Sequence, residues 1–402
     1  MKLSLVLLVI SIVRSRSIEG PKCEISIDYK KGDLKEPQPL ILTDSDEPDF
    51  ILPNDQKQLI FNKNSSVILA CLGFKNGLQG FGNKQYLKAT CVEGKEFIIN
   101  NTIQEFSKFK CSSLPKEIVR KTKSRCLENK QLYEIGYQIK QNFLPLMSIC
   151  RDDDNLSTHY TNATVVQEIT GFQSSFPRPN WKHGQFYSGY NMISVYKQKS
   201  QLKSMEILLG SKELAQKYIQ NEQYLNRGHL AAKADFVFGS HQSTTFWLLN
   251  TAPQWSTFNA GNWLIIESSV RDFAATRKKD LNIYTGLHGI SYLNDINGNR
   301  QDLYLHVNET HKAFPVPMFF WKVVHEPVDN LAVAFVGVNN PYLGNITQDL
   351  YLCTDLSRDP AFAWIKWKPT EIKLGVSYIC QVDELRRSIP TIPDIGKVGL
   401  LT

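Results

Sequence analysis

The chain has 402 residues, of which 42% are hydrophobic and 21% charged, with a formal net charge of +7. That composition excludes a disordered or collagen-like chain, and the length leaves room for two domains. The charge is far below what wholesale, histone-like wrapping of a polyanion would demand.

The N-terminus reads as a secretory leader over residues 1–17. Met1 and Lys2 precede an apolar stretch over 3–13, and Ser15-Arg-Ser17 supplies small residues for cleavage. Its removal takes away Lys2, Arg14 and Arg16 and no acid, so three positive charges go and about +4 of the +7 remains. No later apolar run reaches the roughly 18 residues that a membrane span needs, so a secreted chain without a membrane anchor is expected. The eight cysteines, at 23, 71, 91, 111, 126, 150, 353 and 380, contain no Cys-x-x-Cys pair. In an oxidising compartment they are expected to form disulfides. Cys353 and Cys380 lie together near the end and are taken as one pair, while the other six leave their pairing open. Glycosylation triplets at Asn64, Asn100, Asn155, Asn162, Asn308 and Asn345 agree with the same export route.

Residues 18–160 are expected to form a cysteine-containing, β-rich N-terminal domain, with short strands such as Ser66–Ala70 and Glu96–Ile99 and glycine-rich turns over 73–82. A boundary is placed among 152–176, where acidic, Thr/Asn and proline-containing stretches cluster. The acidic run Asp152-Asp-Asp154 lacks the alternation and closing glutamate of a calcium loop. Residues 161–402 then form a second domain, with a helix over 211–221.

The most informative stretch follows: Tyr224-Leu-Asn-Arg-Gly-His229-Leu-Ala-Ala-Lys-Ala-Asp235-Phe, then Asn250-Thr-Ala-Pro-Gln254, then Asn259, Trp263, Glu267 and Arg271. A β-branched and aromatic run over 244–249 predicts a strand, and Asn-Thr-Ala-Pro a turn. Asn259, Trp263, Glu267 and Arg271 recur every fourth residue, which places them on one face of a helix predicted over 259–275. Each residue also has a plain structural explanation. Lone histidines are mostly satisfied core or surface residues, Trp263 is a natural packing anchor, and Asn250 with Gln254 could cap and turn the chain. Glu267 and Arg271 have the spacing of an ordinary helical ion pair. Together, however, they contain what cutting a phosphodiester requires: a base for water, donors for the phosphoryl oxygens and a group for the leaving oxygen. An imidazole of ordinary pKa is largely neutral at physiological pH and suits the first task.

These residues resemble the DNA/RNA non-specific endonucleases of the ββα-metal class, in particular their secreted arthropod branch. The resemblance implies an α+β fold, with a ββα-metal nuclease core on a mostly antiparallel sheet and a disulfide-bonded β-rich domain before it. It implies His229 as general base, Arg227 and Arg271 as phosphate clamps, and Asn259 as the protein ligand of one Mg²⁺, for which Mn²⁺ could substitute. Glu267 would hold the metal's waters, and Asn250, Gln254 and Lys233 would face the substrate. The implied partners are DNA and RNA, double-stranded, gripped through phosphates and so without sequence preference. Two features depart from the family pattern and favour an alternative, a salivary nucleic-acid binder with little turnover. Position 226 is Asn where Asp is commonest, and the region of an upstream phosphate-binding arginine offers Lys197, Lys199 and Lys203 instead. After the helix, Arg277, Lys278 and Lys279 form a second basic cluster. Apolar runs over 282–285, 319–324 and 331–338 then predict further strands of an antiparallel sheet.

Overall fold

A computed structural model describes residues 20–402, so the expected leader lies outside the described residues. The fold is α+β and mostly antiparallel, as anticipated. Its centre is one nine-stranded sheet, whose main strands are β1 (Ile118–Cys126), β2 (Lys130–Ile139), β3 (Asn142–Asp152), β4 (Ser157–Val165), β7 (Leu281–Ile290), β8 (Pro317–Glu326), β9 (Leu331–Val338) and β10 (Ser377–Cys380). In space they run β10-β9-β8-β7-β4-β3-β2-β1, and Gly399–Leu400 adds a short parallel strand on β9. A separate two-stranded ribbon is made by β5 (Leu225–His229) and β6 (Thr251–Trp255). Residue 160 falls inside β4, and β4 pairs with β7 from Tyr160↔Gly286 to Val165↔Leu281, so the sheet crosses the expected boundary unbroken. Ahead of β1, a five-stranded sheet contains the anticipated strands Ser66–Ala70 and Glu96–Ile99.

The alternating side chains of β8 and β9 explain why those segments read as continuous apolar runs. Phe320, Val324, Val333 and Phe335 enter one core with Trp263, Ile266 and Val270. Trp321, Val323, Ala334 and Val336 enter another with Leu350, Leu385 and Ile389. Both faces of the sheet are covered, so no polar face breaks the pattern.

The disulfides are Cys23–Cys91, Cys71–Cys111, Cys126–Cys150 and the anticipated Cys353–Cys380. Cys126–Cys150 fastens β1 to β3 across β2. Of the six glycosylation triplets, five present an exposed asparagine. Asn162 is half-buried in β4, and its amide donates to the Ile283 carbonyl at 3.3 Å.

Three expected elements are corrected. The 244–249 run is no strand: Gly239–Thr244 is a helix, Leu248–Asn250 a 3₁₀ turn, and the strand begins at Thr251. The run 244–249 is buried except at half-buried Trp247, and a short run buried on all sides carries no period from which to choose helix or strand. The predicted 259–275 helix is two helices, α1 (Ser256–Asn259) and α2 (Asn262–Arg277), broken at Gly261. A Cβ at Gly261 would sit 2.4 Å from the Thr257 carbonyl oxygen and 2.6 Å from that of Leu374, so only glycine fits the break. Asn262 pins the start of α2 by donating to the carbonyls of Lys368 and Gly375. The third change is upstream. The 211–221 helix is Lys212–Tyr218, capped by Ser211, and the lysine-rich run before it is itself a helix, Gln198–Leu209. No helix of the described residues is long and apolar enough to cross a membrane.

His241, inside the buried helix, packs its ring against Phe50, Tyr137 and Phe238 and is 4% exposed. Burial pushes its pKa down to about 3. Folding therefore favours the neutral ring, and the unfolded chain binds the extra proton below its ordinary pKa. The stability that depends on this ring is intact above about pH 6.5 and is lost toward pH 3, at about 1.4 kcal/mol per pH unit. Thermal melts from pH 7 to 4 should show a steeper decline for wild type than for His241→Phe. Parallel profiles would disprove the assignment.

Candidate active site

The ribbon positions the site. Its register pairs His229 with Thr251, Arg227 with Pro253 and Leu225 with Trp255, so these six share one face of the hairpin. Asn226, Gly228, Ala252 and Gln254 occupy the other. Gly228 is required by packing, since a Cβ there would lie 2.5 Å from the Cβ of Gln254 and 2.3 Å from its Oε1. Gly228→Ala should force the strands apart at the residue next to His229. The expected cost is about 1–3 kcal/mol of stability, with a loss of activity in the protein that still folds. Wild-type chemical-denaturation midpoints and nicking rates would contradict this.

His229 packs its ring 4.8 Å from Trp181 and 5.0 Å from Phe246. Part of the residue reaches the surface, while its Nε2 is buried and has no hydrogen-bond partner. Burial, and then the neighbouring cations Arg178 and Lys233, push its pKa down to about 3. The ring is therefore neutral, with an unused nitrogen in a cationic setting that an anion would complete.

Arg227 lays its guanidinium 4.8 Å over the Tyr196 ring and 5.8 Å over Trp181. One of its nitrogens donates to the Ile193 carbonyl at 3.3 Å, whereas Nε is buried without a partner. Sequence reasoning missed Arg178, an exposed residue whose guanidinium lies 5.2 Å over Phe246. It supplies an arginine beside His229 where only lysines were anticipated. Its segment, Arg178-Pro-Asn-Trp181, has no period and no motif spacing relative to His229, so only tertiary structure brings it near. Lys233 donates to the Phe176 carbonyl, which places that ammonium close to the same histidine.

A charged quartet is formed by Asp235 and Lys322, both buried, with Glu267 and Arg271, both half-buried. Arg271 Nη1 donates to Asp235 Oδ1 at 2.9 Å, and Lys322 Nζ donates to Thr285 Oγ1 at 2.6 Å. Burial raises the Glu267 carboxyl to about 7; Asp235 also raises it, while Lys322 and Arg271 pull it down. Arg271 is thus held by Asp235, although the motif suggested a free phosphate clamp. The signal for this quartet was legible in part, because Lys322 stands inside an apolar strand and a buried lysine needs charged company.

Asn259 closes α1. It is half-buried and its side chain makes no hydrogen bond, so its amide oxygen is free. Since α1 and α2 are separate, Asn259 does not continue the stripe of Trp263, Glu267 and Arg271. Among the described residues no three His, Cys, Asp or Glu side chains converge as a metal cage. An ion held by one amide oxygen and waters needs no such cage.

Asn250 and Gln254 are fully buried. The Asn250 amide accepts from Ala231 N at 2.9 Å and donates to the carbonyls of Ala231 and Thr245, fixing the turn that returns the chain to β6. Gln254 lies inside the ribbon with both amide atoms unpartnered. Of the two basic clusters, the one after α2 is partly neutralised, since Lys278 pairs with Asp55 and Lys279 with Asp329.

With this geometry in view, the relatives are informative. The family model for DNA/RNA non-specific endonucleases matches residues 128–384. The chain belongs to that family. The matched range starts in the β1–β2 turn and takes in β2, β3 and all of β4 as well as the ribbon and α2. A salivary endonuclease of Lutzomyia longipalpis is 28% identical over 291 residues, 72% of this chain and 68% of its own. Salivary protein Tsal2A of Glossina morsitans morsitans is 25% identical and covers 98% of both chains. A salivary endonuclease of Culex quinquefasciatus is 32% identical over 130 residues, about a third of each. Among solved structures, the complex of EndoG with EndoGI aligns over 48% of this chain and 71% of its own, at TM-score 0.34 and 19% identity. Membership makes nucleic acid the substrate class and hydrolysis by a metal-dependent nuclease the reaction class.

Proposed function

We propose that this chain is a secreted, magnesium-dependent, sequence-non-specific endonuclease of DNA and RNA, including double-stranded forms. The observation that supports it most is the neutral His229 ring, its Nε2 unpartnered, on the same hairpin face as Arg227 and beside Arg178 and Lys233. A phosphodiester entering there meets cations for its oxygens and a base for the attacking water. Burial is the larger cause of the ring's lowered pKa; a bound anion offsets the lesser one, the two cations, so the imidazole gains basicity when substrate is in place.

Asn259 offers a free amide oxygen for a hard cation. The Glu267 carboxyl, raised by burial, is a group that a nearby cation would return to its charged form. When bound, Mg²⁺ would stabilise the leaving oxygen and template its waters. Arg227 positions the phosphate from its aromatic bed, and Trp181 with Phe246 holds the imidazole and keeps water from its flanks. Phosphate contacts carry no base information, which accounts for the absence of sequence preference.

A second reading is a nucleic-acid binder with little turnover, favoured by the capture of Arg271 by Asp235 and by the neutral Asn226. Plasmid nicking in magnesium, repeated in EDTA, separates the two. Nicking that needs the metal supports the enzyme. Salt-sensitive DNA retention with no nicking in either condition supports the binder.

A further inference from the structure

Beside the catalytic hairpin the protein contains a cavity of about 160 Å³ that the phosphate chemistry leaves unused. That is well below the roughly 300–1,000 Å³ of a drug-sized site, and suits one small planar ring system. Its walls include Tyr187, Tyr196, Phe314, Leu287, His159 and His288. Two contacts tie it to the reacting region. Thr251 and Pro253, which line it, are the cross-strand partners of His229 and Arg227, and Tyr196 is the ring on which the Arg227 guanidinium rests at 4.8 Å. A phosphate held by Arg227 therefore has an aromatic-walled pocket one side chain away.

Several wall residues carry uncharged polar groups, part of them already engaged: Thr158 donates to the Leu249 carbonyl and Thr251 to that of Leu248. Tyr187 spends its hydroxyl on the Leu248 carbonyl at 3.0 Å. The Nε2 of His159 is buried without a partner, and burial lowers the pKa of both His159 and His288, so both rings are neutral. The lining residues include no carboxylate and no lysine or arginine. An amine, a carboxylic acid or a second phosphate would find no counter-charge inside. A flat, neutral heterocycle with ring nitrogens would find stacking surfaces and an imidazole able to donate or accept.

We propose that this cavity is a base-binding subsite, which takes the unstacked nucleobase of the nucleotide whose phosphate Arg227 holds. This rests on the endonuclease reading above and adds what the phosphate contacts lack, a hold on one nucleotide at the cut. Uncharged, largely aromatic and aliphatic walls accept purine or pyrimidine alike, so sequence tolerance is preserved. The subsite favours unpaired or locally opened strands, since a base inside a duplex must first leave its stack.

The test is calorimetric titration of the full-length protein in EDTA with deoxyadenosine 5′-monophosphate and, separately, with deoxyribose 5-phosphate, which lacks the base. The nucleotide should bind at least about ten-fold more tightly. Leu287→Trp, which fills the cavity, and His159→Leu, which removes the buried imidazole, should each erase that difference and leave the sugar phosphate unchanged. A single-stranded oligonucleotide should displace the nucleotide, as one shared pocket requires. Equal affinity of the two ligands for wild type, a base advantage that survives Leu287→Trp, or a nucleotide that the oligonucleotide cannot displace would each overturn the proposal. Magnesium-dependent nicking is scored in the same preparations, so a failed subsite with intact nicking is distinguishable from a failed endonuclease.

Discussion

His229→Ala is expected to slow magnesium-dependent plasmid nicking by about 10²–10⁴-fold while leaving salt-sensitive DNA retention close to wild type. The ring contributes a neutral, unpartnered Nε2 and no charge, so its loss removes the proton acceptor and none of the cations that attract phosphate. Arg178, Arg227 and Lys233 remain to bind the backbone. His229→Gln should fare no better, because an amide cannot accept the proton at neutral pH. If either variant nicks within a few-fold of wild type, another base is at work. If DNA retention collapses in both, the histidine is a scaffold for the site instead.

Breaking the buried ion pair should have the largest effect on stability. Arg271→Met keeps the bulk of the side chain and leaves the Asp235 carboxylate, in a side chain 6% exposed, without its guanidinium. Losing one partner of such a pair costs about 3–5 kcal/mol, since the remaining charge stays desolvated. Asp235 also accepts from Ala232 N at 3.2 Å, in the segment that follows His229, so the damage should reach the strand that carries His229. The double variant Asp235→Asn with Arg271→Met should recover much of the loss, because it buries no unpaired charge. Urea denaturation of the four proteins completes the cycle. Additive losses would mean that the two side chains are energetically independent, contrary to the 2.9 Å contact.

The legible parts of this protein and the illegible ones divide on physical lines. Strands with both faces covered, such as β8 and β9, were visible because their central runs are apolar on both faces, Lys322 excepted. The Cys353–Cys380 bridge followed from position along the chain. By contrast, the 244–249 run is equally apolar but is buried as a helix end and a turn, so hydrophobicity alone misassigned it. The four-residue recurrence of Asn259, Trp263, Glu267 and Arg271 is real, yet only the last three share a helix, because Gly261 resets the chain at a close approach to Leu374 that no local pattern encodes. Arg178 and Trp181, which touch the His229 environment, lie some fifty residues upstream in an irregular segment. Their role depends on long-range packing. The motif pointed to the family, whereas the partners that surround each candidate group came from elsewhere in the sequence.

The continuity of the central sheet limits how this protein could be trimmed. A cut near residue 160 would divide β4 and detach β1, β2 and β3, leaving residues 161–165 paired with β7 but with their β3-facing edge bare. Bare edges of that kind recruit other copies. A fragment starting at 161 is therefore expected to self-associate.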